Sequence, residues 1–114
     1  MDNSVSPEVF GLPADTHEKL NAVFARHEHI GQVLIYGSRA MGSFREGSDI
    51  DLSLKGEELE YDLLSRVIRE IDDLNLPYLF DISIYDHIED SDLRGHIDRA
   101  GKVFYERLGF YPGD

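Results

Sequence analysis

Two aspartates, Asp49 and Asp51, stand one residue apart inside an alternating apolar segment, residues 48–56. Residues two apart on a β-strand share a face, so their Cα atoms should lie roughly 6–7 Å apart at about 3.3 Å per residue. At an effective dielectric of about 20, like charges at that distance repel by roughly 2.5 kcal/mol. A divalent cation would offset this repulsion, and Mg²⁺ or Mn²⁺ suits carboxylate oxygens. A solvent-facing strand edge is the alternative interpretation.

A Gly-Ser pair, Gly37 and Ser38, ends the apolar run before these aspartates, and ten residues separate Ser38 from Asp49. Glycine lets a backbone approach a ligand closely, and free N–H groups at the start of a helix favour an anion. Arg39 would add a bidentate phosphate contact. Alone, the pair would indicate only a strand-to-helix turn. Beside paired carboxylates, it predicts a site that binds the phosphates of a metal-bound nucleotide.

A third carboxylate, Asp81, is the only charged residue in another apolar segment, residues 78–85. If this segment is a strand beside that of Asp49, the three carboxylates form a triad. Two structural roles stay open for Asp81, namely helix capping and pairing with Arg39. Asp86 is a rival third carboxylate, but it falls on the opposite face of the strand.

Apolar periodicity predicts the elements that position these residues. Their order, α-β-α-β-α-β-α, predicts a small α/β domain with a mixed sheet and helices packed on one face. Asp15 or Thr16 is expected to cap the first helix, and Ser38 to begin the second. The remaining predictions are a first helix ending near Gly31, strands at 32–37, 48–56 and 78–85, and helices at 57–74 and 91–108, the last with Leu93, Ile97, Ala100, Phe104 and Leu108 facing inward.

The composition limits the number of domains, the partners and the chemistry that the protein can have. The chain of 114 residues is 41% apolar, which suits a single domain over residues 1–114, with an irregular lead-in at 1–14 and a tail at 109–114. Its formal net charge of −12 disfavours binding to long nucleic acids and favours a cation or a metal-bound nucleotide. The absence of cysteine excludes disulfides, thiolate metal sites and a cysteine nucleophile.

The sequence also contains information about where in the cell the protein is located. Residues 1–11 have neither a basic nor an apolar region of the kind found in signal peptides, and no apolar run approaches the length of a membrane span. The expectation is therefore a cytoplasmic protein with no membrane partner.

The pattern of Gly-Ser, ten residues and Asp-Ile-Asp resembles the signature of the polymerase-β-like nucleotidyltransferases. The resemblance covers residues 37–51 and 81, and the order of elements over about 16–105. In that family two aspartates bind metal, and a third on a following strand binds metal or takes a proton. The resemblance implies a two-layer, palm-like domain. It implies metal-binding and catalytic roles for Asp49, Asp51 and Asp81, and phosphate contacts from Gly37, Ser38 and Arg39.

The short chain is similar to a minimal nucleotidyltransferase (MNT) domain, the small partner of HEPN-type toxins. One departure is Met41, which stands where many such domains carry a second basic residue; Arg45 is the candidate substitute for triphosphate binding. The resemblance implies ATP with Mg²⁺ as substrate, and transfer of AMP to a hydroxyl of a toxin. The alternatives are an antitoxin that acts by contact alone and a transferase for a small, antibiotic-like molecule.

Overall fold

A computed structural model of the chain describes residues 9–45 and 47–111. The predicted helix at 57–74 and strand at 78–85 are both present but shorter. Within the described residues the elements are α1 (Ala14–Ala25), β1 (Ile30–Tyr36), α2 (Ser38–Met41), β2 (Ile50–Gly56), α3 (Tyr61–Asp72), β3 (Phe80–Ile84), a 3₁₀ turn (Tyr85–His87), α4 (Ser91–Ala100) and β4 (Lys102–Glu106).

The four strands form one mixed sheet in the order β3-β2-β1-β4. Strand β1 is antiparallel to both β2 and β4, whereas β2 and β3 are parallel. Parallel neighbours need a crossover connection, which α3 provides between β2 and β3. The predicted α/β class with a mixed sheet is confirmed, and Asp81 lies on the strand next to that of Asp51.

Helices α1 and α3 pack on one face of the sheet, where they enclose the main core. The alternation predicted for residues 48–56 is confirmed, because Ile50, Leu52 and Leu54 are all fully buried in this core. The sheet contributes Val33, Ile35, Ile50, Leu52, Leu54 and Ile84 to it, and the two helices contribute Leu20, Val23, Phe24, Val67 and Ile71.

Helix α4 corrects the prediction that the helices pack on one face. Ile97 of α4 packs with Leu34 and Tyr36, the residues of β1 that alternate with those of the main core. The physical reason lies in β1, whose seven residues are all buried and therefore need cover on both faces. As a result, α4 lies on the same face of the sheet as Asp51.

The predicted final helix, 91–108, is wrong beyond Ala100. Gly101 leaves the helical conformation with φ −69° and ψ 148°, and the next residues form β4, which pairs with β1. Phe104 is buried as predicted, but from a strand, and Leu108 is fully exposed. The segment Lys102–Glu106 is rich in β-branched and aromatic residues, which favour a strand.

The chain ends differ from prediction in detail. Helix α1 begins at Ala14, so Pro13 rather than Asp15 or Thr16 occupies the N-cap position, and Thr16 is buried. In the predicted lead-in, 1–14, residues 1–8 lie outside the described residues, while Val9 and Leu12 form an isolated bridge. In the predicted tail, 109–114, residues 112–114 lie outside them as well. Among the described helices, none has the length and apolar character needed to cross a membrane.

Candidate active site

The turn between β1 and α2 brings the Gly-Ser pair against the second strand. Gly37 has a φ of +76°, which favours glycine, and helix α2 begins at Ser38 as predicted. A Cβ on Gly37 would lie 2.5 Å from Oδ2 of Asp51. Glycine is therefore required for a second reason, because any side chain here would displace the Asp51 carboxylate.

The carboxylates occupy neighbouring strands at this end of the sheet. Asp51 pairs in register with Tyr36 on β1 and with Asp81 on β3, which places the three residues in one row. Asp49 lies just before β2. Asp49 and Asp81 are exposed and Asp51 is half-buried. The structure thus brings all three predicted carboxylates to the end of the sheet where the Gly37 turn lies.

Burial raises the pKa of the Asp51 carboxyl, and the charges of Asp81 and Asp49 raise it further, while His96 on α4 opposes them. Ionisation of Asp51 is therefore less favourable in the folded protein than in the unfolded chain. A cation bound here would reverse this cost, because opposite charge favours the ionised form.

The Asp51→Asn variant should be more stable than the wild type at pH 7 without ligand. Because the folded-state pKa of Asp51 lies above its ordinary 3.8, the unfolded chain releases this proton first, and stability falls as the pH rises above that value. The increase in melting temperature should therefore disappear below about pH 3.8. A matched control is Glu18→Gln, which removes one exposed charge from α1. An equal gain in both variants, or a gain independent of pH, would contradict the assignment.

The donor set suits a metal held partly by substrate. Within the described ranges, no group of three or more His, Cys, Asp or Glu side chains is arranged to hold one ion. Mg²⁺ usually takes one or two carboxylates together with phosphate oxygens and waters. Asp49 and Asp51 fit this pattern as a pair. Asp81 lies beside Asp51, but the three carboxylates do not converge on one ion.

The side chain of Arg39, a predicted phosphate contact, turns into the protein. Arg39 is only 3% exposed, and its guanidinium donates to the backbone carbonyls of Ser48 and Phe10. The sequence placed Arg39 next to Ser38 but gave no sign that its long side chain turns inward. Arg39 belongs to the scaffold of the site, and its donors face the protein.

The phosphate contact of Arg45, the other basic candidate, stays a prediction. Arg45 is exposed, and its backbone N–H donates to Oγ of Ser48 at 2.7 Å. Met41, the departure from the family pattern, is 62% exposed at the end of α2. Arg45 is therefore accessible to a triphosphate, whereas Met41 offers an apolar surface.

Three further residues on this face were not predicted to belong to the site, namely Tyr36, Ser83 and His96. Burial raises the pKa of the Tyr36 hydroxyl, and the side chain of Ser83 partly offsets the effect. The rings of Tyr36 and His96 are 6.2 Å apart and nearly perpendicular. The signal for His96 was present in the sequence, because it adjoins Ile97 on the apolar side of a predicted helix.

A cavity of about 690 Å³ lies at the opposite end of β2, away from these carboxylates. Lys55, Tyr85, Arg107 and Phe110 are among the residues that line it, together with Asp86, the rival third carboxylate. Asp86 is thus far along the sheet from Asp49, and the triad interpretation retains Asp81.

Comparison with known proteins defines the class. The model of the family described as "Polymerase beta, Nucleotidyltransferase" matches residues 18–108. The chain therefore belongs to this family of nucleotidyltransferases. No curated protein matches it significantly.

Solved structures show the same fold at low sequence identity. A toxin–antitoxin crystal structure with AMP-PNP has a TM-score of 0.66 at 14% identity, covering 80% of this chain and 73% of that one. A toxin–antitoxin MntA-HpeT structure, in which two aspartates are changed to glutamate, has a TM-score of 0.63 at 11% identity with the same coverages. A Sulfolobus solfataricus protein assigned to the nucleotidyltransferases has a TM-score of 0.53 at 22% identity, covering 84% and 81%. These likenesses confirm the predicted palm-like fold.

Proposed function

We propose that this protein transfers AMP from Mg²⁺-bound ATP to a hydroxyl group of a partner protein, and that it is the antitoxin of an HEPN-type ribonuclease. The observation that carries the proposal is the row formed by Asp51 and Asp81 on adjacent strands, with Asp49 beside it and the Gly37 turn against Asp51. The toxin–antitoxin structures of the same fold, one of them with AMP-PNP, support it.

Asp49 and Asp51 would hold the metal, which when bound supplies positive charge against the phosphates. Ser38 would bind phosphate oxygens through its hydroxyl and the N–H groups of the first turn of α2. This helix has only four residues, so its dipole adds little. Arg45 would bind the outer phosphates with its exposed guanidinium.

The transfer itself is an in-line displacement at the α-phosphorus. A bond forms from the acceptor oxygen to phosphorus, the bond to the bridging oxygen of pyrophosphate breaks, and pyrophosphate leaves with the electron pair. Asp81 is exposed and lies beside Asp51, so it would orient the acceptor hydroxyl and accept its proton.

The acceptor is proposed to be a protein because the site is open at this edge. Two large apolar side chains near it are exposed to solvent, Met41 at 62% and Leu79 at 72%. Leu79 lies next to the carboxylates, since its carbonyl accepts from the N–H of Ile50 at 2.9 Å. A partner surface would cover these residues and complete the site.

Two other functions compete with this proposal. A contact-only antitoxin would keep the fold and inhibit its partner without transfer, but the retention of Asp49, Asp51 and Asp81 in one place argues against a degenerate site. A transferase for small, antibiotic-like molecules would use the same chemistry on a different acceptor. Only the choice of acceptor separates it from the leading proposal.

Binding of a metal–nucleotide complex is the first test. At about 100 times its dissociation constant, Mg²⁺-ATP should stabilise the fold by about 2.7 kcal/mol, a thermal shift on the order of 10 °C. GTP, CTP and UTP with Mg²⁺ should be compared with ATP, and each nucleotide should be repeated with EDTA. A melting temperature unchanged by any of the four would favour the contact-only module.

A further inference from the structure

The guanidinium of Arg39 joins segments of the chain that are distant in sequence. Its Nε and Nη2 donate to the carbonyl of Ser48 at 3.1 and 3.0 Å, and its Nη1 donates to the carbonyl of Phe10 at 2.9 Å. The same group lies over the ring of Phe44 at 5.1 Å and over the ring of Tyr78 at 5.3 Å. Arg39 therefore connects the N-terminal segment, the loop after α2 and the segment that leads into β3.

Gly11 indicates how closely these segments approach. It has a φ of +72°, and a Cβ built on it would overlap the Phe44 ring and lie 2.9 Å from Nη1 of Arg39. A side chain at position 11 would thus push the N-terminal segment away from the guanidinium. Gly11 offers a way to disturb this contact without changing any residue of the motif.

The acceptor carbonyl belongs to the peptide bond between Ser48 and Asp49. Holding this carbonyl fixes the orientation of the peptide from which Asp49 follows. Ser48 in turn holds Arg45, because its N–H donates to the Arg45 carbonyl at 2.9 Å and its Oγ accepts from the Arg45 N–H. Arg39 thus acts on both Asp49 and Arg45 through Ser48.

We infer that Arg39 is a positioning residue that holds Ser48, and through it Arg45, so that Asp49 stays beside Asp51 before the metal arrives. The need for such a restraint follows from charge, because the carboxylates of Asp49 and Asp51 repel each other and Asp49 is exposed. A preorganised pair costs less to assemble on binding, so the restraint raises the affinity for the metal–nucleotide complex. The effect on affinity rests on the proposed function, whereas the effect on Ser48 and Arg45 does not.

The variants are chosen to separate positioning from stability. Arg39→Met keeps the apolar stem and removes every donor, and Arg39→Lys keeps the charge but loses the planar fork that reaches two carbonyls. Gly11→Ala disturbs the same contact from outside the motif, and serves if the Arg39 variants fail to fold. The control is Val67→Ala, which creates a cavity in the core at a fully buried residue of α3.

The first measurement is hydrogen exchange of the ligand-free protein by NMR. In Arg39→Met, protection of the Arg45 and Ser48 amides should fall about tenfold or more relative to that of Val33 in β1, the change expected from losing one hydrogen bond to a charged group. Val67→Ala should not lower this ratio, because a cavity in the core weakens the protection of Val33 rather than that of Arg45 and Ser48. An unchanged ratio in Arg39→Met, Arg39→Lys and Gly11→Ala would overturn the inference.

The second measurement is the calorimetric dissociation constant for Mn²⁺-ATP. Arg39→Met and Arg39→Lys should bind about tenfold more weakly than the wild type, the lower range for lost support of a metal ligand, and Val67→Ala should bind as the wild type does. Equal affinity in the wild type and both Arg39 variants would overturn the link to affinity. If the wild type itself binds no Mn²⁺-ATP, the proposed function fails, and the exchange ratios alone decide whether Arg39 positions Ser48 and Arg45.

Discussion

Replacement of both Asp49 and Asp51 by asparagine should abolish nucleotidyl transfer and leave the protein folded. Asparagine keeps the shape of each side chain but removes the charge that would hold the metal, so the stabilisation of the phosphates is lost. A loss of about 4 kcal/mol of transition-state stabilisation corresponds to roughly a thousandfold in rate. The fold should be retained or more stable, because the burial and the repulsion that raise the pKa of Asp51 no longer act on a charged side chain.

The measurement is the rate of pyrophosphate release with Mg²⁺-ATP and an acceptor, together with the melting temperature of each variant. A matched control changes Asp72 and Asp73, both exposed and remote in sequence from the motif, to asparagine. This pair removes the same number of charges, and its transfer rate should match that of the wild type. Transfer retained by the Asp49→Asn, Asp51→Asn variant would refute the metal mechanism.

Much of the site could be predicted from the sequence because the decisive residues are close together in it. The alternation of Ile50 and Leu52 with Asp51 and Ser53 defines the faces of β2 without any tertiary information. The position of Asp81 depended on strand order, which no local pattern gives. The parallel pairing of β2 and β3 supplied it and placed Asp81 directly beside Asp51.

The error in the final helix arose because local patterns conflict there. Phe104 and Leu108 continue the helical spacing of Ile97, so periodicity favoured one long helix, although Gly101 and the β-branched and aromatic residues after it favoured a strand. Pairing with β1 decides in favour of the strand. The inward turn of Arg39 could not be predicted for another reason, because its carbonyl acceptor at Phe10 lies 29 residues away and only the tertiary fold brings it near.

Mixing the protein with an HEPN-type ribonuclease and Mg²⁺-ATP should add AMP to a hydroxyl side chain of the ribonuclease and nearly abolish RNA cleavage. The charge of −12 would speed association with a basic, RNA-binding partner, and the rate should fall as salt is raised. Exposed Met41 and Leu79 would then be buried against the partner at the edge that carries Asp49. A nucleotide attached near the catalytic centre of the ribonuclease would repel the phosphates of RNA and obstruct its approach.

The mass of the partner, measured before and after incubation, separates transfer from contact. The Asp49→Asn, Asp51→Asn variant is the internal control, because it keeps the binding surface around Met41 and Leu79 and should leave the partner's mass unchanged. A partner that gains no mass and is nonetheless fully inhibited would establish contact alone as the mechanism. A small molecule that is modified without any partner present would overturn the antitoxin assignment, since the site would then be complete within this chain. If the wild type modifies the partner and the Asp49→Asn, Asp51→Asn variant does not, transfer requires an assembled metal site. It then also requires a site that stays open until the partner closes it.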